Sequence, residues 1–164
     1  MVQMSCVTSA NARTITVRER LLKQHTLLGV FTMPDDLFHP VGVITCVIVF
    51  EAKKPHPKGF KSFFGYFKND GYQKTKHMGR VNRGQWEEIK AHWLSLYVNR
   101  EKEVGLSILQ AVTAEDEWCA EAYMETDYSK MRREDFERVV RNYAVFKMLG
   151  AVASGEDAEA NAED

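Results

Sequence analysis

The chain has 164 residues, of which 45% are apolar and 27% charged, and a formal net charge of -1. That length suits one domain with a sizeable core, and without an apolar run of about 18 residues no membrane-spanning helix is expected. Its three cysteines form no CxxC pair, so Cys46 and Cys119 read as buried inert thiols rather than part of a metal site or disulfide framework.

Met1–Cys6 reads as the end of a strand, and the first twenty residues carry no signal-peptide pattern, so a cytoplasmic chain is expected. Residues 7–14 are small and polar, as in a loop. Thr16–Gln24 reads as a short helix capped by Thr14 or Thr16, with Val17, Leu21 and Leu22 as its apolar stripe. Leu27–Phe31 and Val43–Phe50 then read as two strands of a hairpin. The second is β-branched and unbroken in apolar character, so it is expected to be covered on both faces, as in the centre of an α/β sheet. Between them, Met33-Pro34-Asp35-Asp36 and His39-Pro40-Val41-Gly42 supply turn chemistry. Phe38 lies between these turns, either as a core plug, which its large apolar area favours, or as an aromatic displayed at the sheet rim.

Lys53–Lys61 contains Pro55 and Pro57 and reads as an exposed turn. Phe60–Phe67 reads as an aromatic strand that ends at Asn69-Asp70-Gly71. Tyr72–Arg83 is expected to be a basic loop with at most a short extended piece. Gln85–Asn99 keeps Trp86, Ile89, Trp93, Leu96 and Tyr97 at helical spacing. Leu106–Val112 is expected to be a short strand. Thr113, with Asp116 three residues on, has the pattern of a capping box and predicts a helix displaying Trp118, Cys119, Ala122 and Tyr123. Asp127–Leu149 reads as mostly helical, with a stripe of Phe136, Val139, Val140, Tyr143 and Phe146. The acidic stretch Ser154–Asp164 has nothing to bury and is expected to be disordered.

The small net charge conceals a split. Ala52–Arg83 holds nine basic residues and one acid, Asp70, whereas Ser154–Asp164 holds five acids and no base. Such a split suits contact with a polyanion, although a basic run is more often only a solvated face. Nothing in the five histidines has ligand-like spacing, Asp35-Asp36 suit a turn, and Glu115, Asp116 and Glu117 suit a helix N-terminus.

Three stretches carry a resemblance: RERLLKQHTLLGVFTMPDDLFHPVGVITCVIVF, FFGYFKNDGYQKTKHMGR and VTAEDEWCAEAYMETDYSKM. Together they resemble the C-terminal part of the modification (M) subunit of type I restriction-modification systems, the N-6 adenine DNA methyltransferases. The resemblance implies an α/β fold: part of a Rossmann-like sheet, made of the terminal β-hairpin and a flanking strand, followed by C-terminal helices. It implies three regions: residues 1–83 as sheet, 84–153 as helical region and 154–164 as tail. The strand at Val43–Phe50 would run antiparallel between Leu27–Phe31 and the strand ending at Met1–Cys6.

The family needs a glycine-rich turn for S-adenosylmethionine and an Asn-Pro-Pro-Tyr or Asn-Pro-Pro-Phe tetrapeptide for the target amino group. The sequence contains no GxG and no adjacent prolines. The resemblance therefore implies a fragment that is inactive alone and has no catalytic, cofactor-binding or metal residues. S-adenosylmethionine would belong to the complete enzyme. Phe38 acquires a second possible role, as a wall of the pocket that receives the flipped adenine, and Lys74, Lys76 and Arg80 become candidates for DNA phosphate contact. The implied partners are the N-terminal methyltransferase half, specificity and restriction subunits, DNA, and a second copy paired through an uncovered sheet edge. A non-enzymatic helical interaction module and a small basic DNA-binding protein are the alternatives.

Overall fold

The structure, a computed structural model, describes residues 1–125 and 131–159, with backbone alone from 149 onward. Its elements are β1 (Val2–Gln3), α1 (Ser5–Thr8), α2 (Ala12–Gln24), β2 (Thr26–Thr32), β3 (Thr45–Glu51), β4 (Lys61–Tyr66), β5 (Tyr72–Thr75), β6 (Gly79–Asn82), α3 (Trp86–Asn99), β7 (Ser107–Ala111) and α4 (Arg133–Glu159). The chain forms two compact units, Met1–Thr126 and Asp127–Asp164. No described helix is long and apolar enough to cross a membrane.

The first unit is built on a mixed sheet of order β1-β3-β2-β4-β7. β3 is antiparallel to both β1 and β2, as the resemblance implied. β2 and β4 are parallel, and β7 closes the other edge antiparallel to β4. The central strand is β2 rather than the more apolar β3. β2 is closed in by a strand on each side, and at Gly29 the packing is so tight that an added Cβ would come within 3.0 Å of the Phe63 carbonyl. Most of β3 is only half-buried, because β1 covers it at two residues alone.

Two apolar layers sandwich the sheet. Leu27, Val30, Cys46 and Phe64 pack on one face with Val7, Val112, Trp118 and Ala120. Phe63 and Phe67 pack on the other against Trp93 and Leu96 of α3, whose predicted stripe is confirmed. The Phe67 and Trp93 rings stack at 4.5 Å. Burial pushes the Cys46 and Cys119 thiols up to about 12 and about 11, so both are neutral, as expected of inert core sulfurs. β7 and α3 belong with this sheet in the first unit.

Several local expectations are corrected. Met1–Cys6 is strand only at Val2–Gln3; a short helical turn follows at once. α2 starts at Ala12, capped by Asn11, whose side chain accepts the Arg13 N–H at 2.9 Å. Its buried face is centred on Arg18, not on Val17, which is exposed. Tyr72–Arg83 forms a true hairpin, β5–β6. The capping-box residues do bond, with Asp116 accepting both the backbone N–H and the hydroxyl of Thr113 at 2.7 Å, but they close a turn and no helix follows. In the second unit α4 runs through Ser154 to Glu159, into the stretch expected to be unstructured; residues 160–164 lie outside the described residues. Val139, Val140, Tyr143 and Phe146 of the expected stripe are exposed within that unit.

Candidate nucleic-acid interface

Because β2 and β4 are parallel, their carboxyl ends lie side by side, and the Phe67 N–H donates to the Thr32 carbonyl at 2.9 Å. In open α/β sheets ligands bind at this edge, outside the carboxyl ends of the strands. Two segments leave it: the loop 33–44 after β2, and residues 67–71, which lead from β4 into the β5–β6 hairpin. The Thr32 hydroxyl donates to Glu121 at 2.8 Å, which ties the 112–124 segment to the same edge.

Residues 33–44 are a succession of tight turns. Leu37 N–H donates to Pro34, His39 N–H to Asp36 and Val41 N–H to Phe38, at 2.8–3.2 Å. Pro34 is fully buried and anchors the start of the loop, whereas Phe38 at its apex is 48% exposed. This corrects the core-plug alternative: the Phe38 ring is displayed at the rim.

The loop is held by acids that the sequence offered only as turn residues. Asp35 pairs with Lys68 at 3.1 Å. Asp36 lies 2.9 Å from Nε of Arg80. Arg80 also donates to both carboxylate oxygens of Asp70 at 2.7 Å, and its guanidinium sits 5.1 Å from the centre of the Tyr72 ring. The side chains of Arg80 and Asp70 are only 13% and 8% exposed. Burial alone would lower the Arg80 pKa, but the hydrogen bond and charge of Asp70, with Asp36 beside it, raise it overall. Lys68 behaves in the same way: burial opposes its charge, but the hydrogen bond to Asp35 together with the charges of Tyr66, Asp35 and Glu121 raises its pKa overall.

The three candidate phosphate ligands therefore do not form one group. Lys74 and Lys76 lie exposed on the β5–β6 hairpin and make no ion pair among the described residues. Arg80 belongs to the same hairpin but points its charge inward at two carboxylates. The signal for this was present in the sequence, since Asp70 is the one acid in a stretch of nine bases. Sequence spacing alone cannot pair it with Arg80, ten residues on.

A cofactor cradle requires glycines with open space in front of them. At Gly65 an added Cβ would meet the Phe67 ring at 2.8 Å, and at Gly71 it would meet Gln85 and Ile89 at 3.0 Å. At both, this chain's own side chains fill the space, so these glycines do not fit a bound nucleoside. Among the described residues no cluster of His, Cys, Asp and Glu is placed to hold a metal ion.

Residues 1–148 match the family model described as N-6 DNA Methylase. The chain is 32% identical over 148 residues to the "Type II restriction enzyme and methyltransferase RM.BcgI" of Heyndrickxia coagulans, covering 90% of this chain and 23% of that protein. It thus spans about a quarter of the length of that relative. A chain described under "complex assembly and conformational transition of the type I R-M system" matches 99% of this one and 35% of its own length, at 15% identity and a TM-score of 0.51. The type I restriction-modification methyltransferase subunit of Streptococcus thermophilus matches 66% of this chain and 21% of its own, at 20% identity and a TM-score of 0.49.

Proposed function

This chain belongs to the N-6 DNA methylase family, and from that premise we propose that it forms the target-base side of a restriction-modification adenine DNA methyltransferase, acting only together with the part that binds the cofactor. The observation that carries the reading is Phe38, an exposed aromatic held on a loop of successive turns at the carboxyl edge of the sheet. A base taken out of the duplex needs an aromatic face to stack on, and Phe38 offers one. S-adenosylmethionine supplies the methyl group in such an enzyme. Since Gly65 and Gly71 do not fit it and the sequence has no GxG or Asn-Pro-Pro, its site is assigned to the remainder of the enzyme.

The sheet is read as the terminal portion of a Rossmann-like sheet. Among the described residues the outer edge of β3 has no strand partner from Val47 to Glu51. An edge of this kind accepts another strand. We assign it to the N-terminal methyltransferase half or, without that half, to a second copy of this chain. Specificity and restriction subunits of a type I-like assembly are the further partners. The family match leaves the helical-module and small DNA-binding readings without support.

Phosphate contact is assigned to Lys74 and Lys76, and Arg80 is left out because its charge is already paired. Replacing both lysines by alanine in the assembled enzyme should flatten the dependence of duplex affinity on log salt by about 0.9 per lost contact. A slope equal to wild type would reduce the two lysines to solubilising charge.

A further inference from the structure

Arg80 occupies a place that neither phosphate binding nor simple solvation explains. Its side chain is nearly closed off from solvent and bridges two carboxylates from different segments. Asp70 belongs to the turn after β4, and Asp36 to the loop after β2. Asp36 is also the first residue of the turn that carries Phe38, because its carbonyl accepts the His39 N–H at 3.1 Å. Asp70 is itself fixed in place, since it accepts the Tyr72 N–H at 3.1 Å at the start of β5. One guanidinium thus connects the base of the exposed Lys74–Lys76 hairpin to the turn that presents Phe38. A second cation, Lys68, holds the adjacent Asp35 at 3.1 Å.

We propose that Arg80 is a positioning residue, a latch that holds the Phe38 turn in register with the β5–β6 hairpin so that a duplex gripped at the hairpin delivers its extruded base against Phe38. The inference rests on the reading of Phe38 as the stacking surface. Arg80 touches no substrate; it acts through Asp36. Asp70 takes the hydrogen bonds of the guanidinium from the hairpin side, so Arg80 meets Asp36 through a close ion pair, 2.9 Å from Nε and outside hydrogen-bond geometry, rather than offering a general attraction for DNA. Because Asp36 is the more exposed of the two carboxylates, at 33% for its side chain, removing its charge releases the turn while the Arg80–Asp70 pair stays intact.

The test uses the assembled enzyme with Asp36→Asn, Arg80→Gln and the double variant. It follows kcat, KM for duplex DNA, the salt slope of binding and the melting temperature. A target site carrying 2-aminopurine in place of adenine reports stacking of the extruded base by fluorescence. A misplacement of about an ångström costs on the order of a hundredfold in rate. Asp36→Asn and Arg80→Gln should each lower kcat by roughly 10- to 100-fold, with KM and salt slope unchanged. The double variant should be no slower than the slower single one, since both remove one latch. The 2-aminopurine signal should rise as the base loses its stacking partner, and Asp36→Glu should recover part of the rate. Unchanged kcat in Asp36→Asn would overturn the proposal, as would a salt slope one contact shallower in Arg80→Gln, which would make Arg80 a phosphate ligand. A rate loss matched by a collapse in melting temperature for Asp36→Asn would also overturn it. If Phe38→Ala retains the wild-type rate, it is the underlying reading of Phe38 that fails, whatever the latch variants do.

Discussion

Replacing Arg18 by methionine is expected to destabilise the first unit by about 3–5 kcal/mol, a large part of the stability of a domain this size. The side chain is 2% exposed. Its Nε donates to the Ala114 carbonyl at 2.7 Å, and its two terminal nitrogens donate to Val7 at 2.8 Å and Ser9 at 3.0 Å. These carbonyls belong to the end of α1 and to the segment after β7, so one side chain ties three parts of the chain together beneath Trp118, whose ring centre lies 5.7 Å away. Burial lowers the guanidinium's pKa, and Glu117 and Asp116 offset part of that. Methionine fills similar volume but leaves the carbonyls without their charged donor. Chemical denaturation of the variant reads the loss directly. A change under about 1 kcal/mol, within the range of an ordinary surface substitution, would mean that backbone donors or water take over all three carbonyls.

Phe38→Ala is expected to have the opposite profile. The ring is half exposed and supports no core cluster, so the melting temperature should barely move. Methylation by the assembled enzyme should fall, because stacking on an aromatic ring is worth roughly 1–3 kcal/mol per base, or about 5- to 150-fold in rate. A stability loss of about 3–5 kcal/mol, as for a buried phenylalanine, would restore the core-plug reading. Equal rates in wild type and variant would remove Phe38 from the site.

The sheet was largely legible because its strands announce themselves by composition. The β2–β3 hairpin, the aromatic β4 and the short β7 all follow from apolar runs between turn residues, and α3 follows from its periodicity. The β5–β6 hairpin escaped notice because its strands are four residues each and basic, without alternation. The Thr113–Asp116 pair shows the converse: Asp116 accepts the Thr113 N–H as the pattern predicts, but the Thr113 hydroxyl donates to Asp116 instead of accepting its N–H, the bonds close a turn, and Trp118 goes to the core without a helix. Long-range polar partners were the least legible of all. Arg18 is not part of the expected Val17, Leu21 and Leu22 stripe, and one of its partners lies 96 residues away. Asp35 and Asp36 look like turn residues and are turn residues; that they also hold Lys68 and Arg80 depends on the parallel pairing of β2 with β4, which no local pattern records.

Photocrosslinking tests the account most directly. A duplex with 5-iodouracil in place of the target adenine, bound to the assembled enzyme and irradiated, marks the aromatic side chain nearest the extruded base. The account predicts a crosslink at Phe38, in the 33–44 segment, and its loss in Phe38→Ala. A crosslink that maps to another aromatic residue and persists in Phe38→Ala would contradict it.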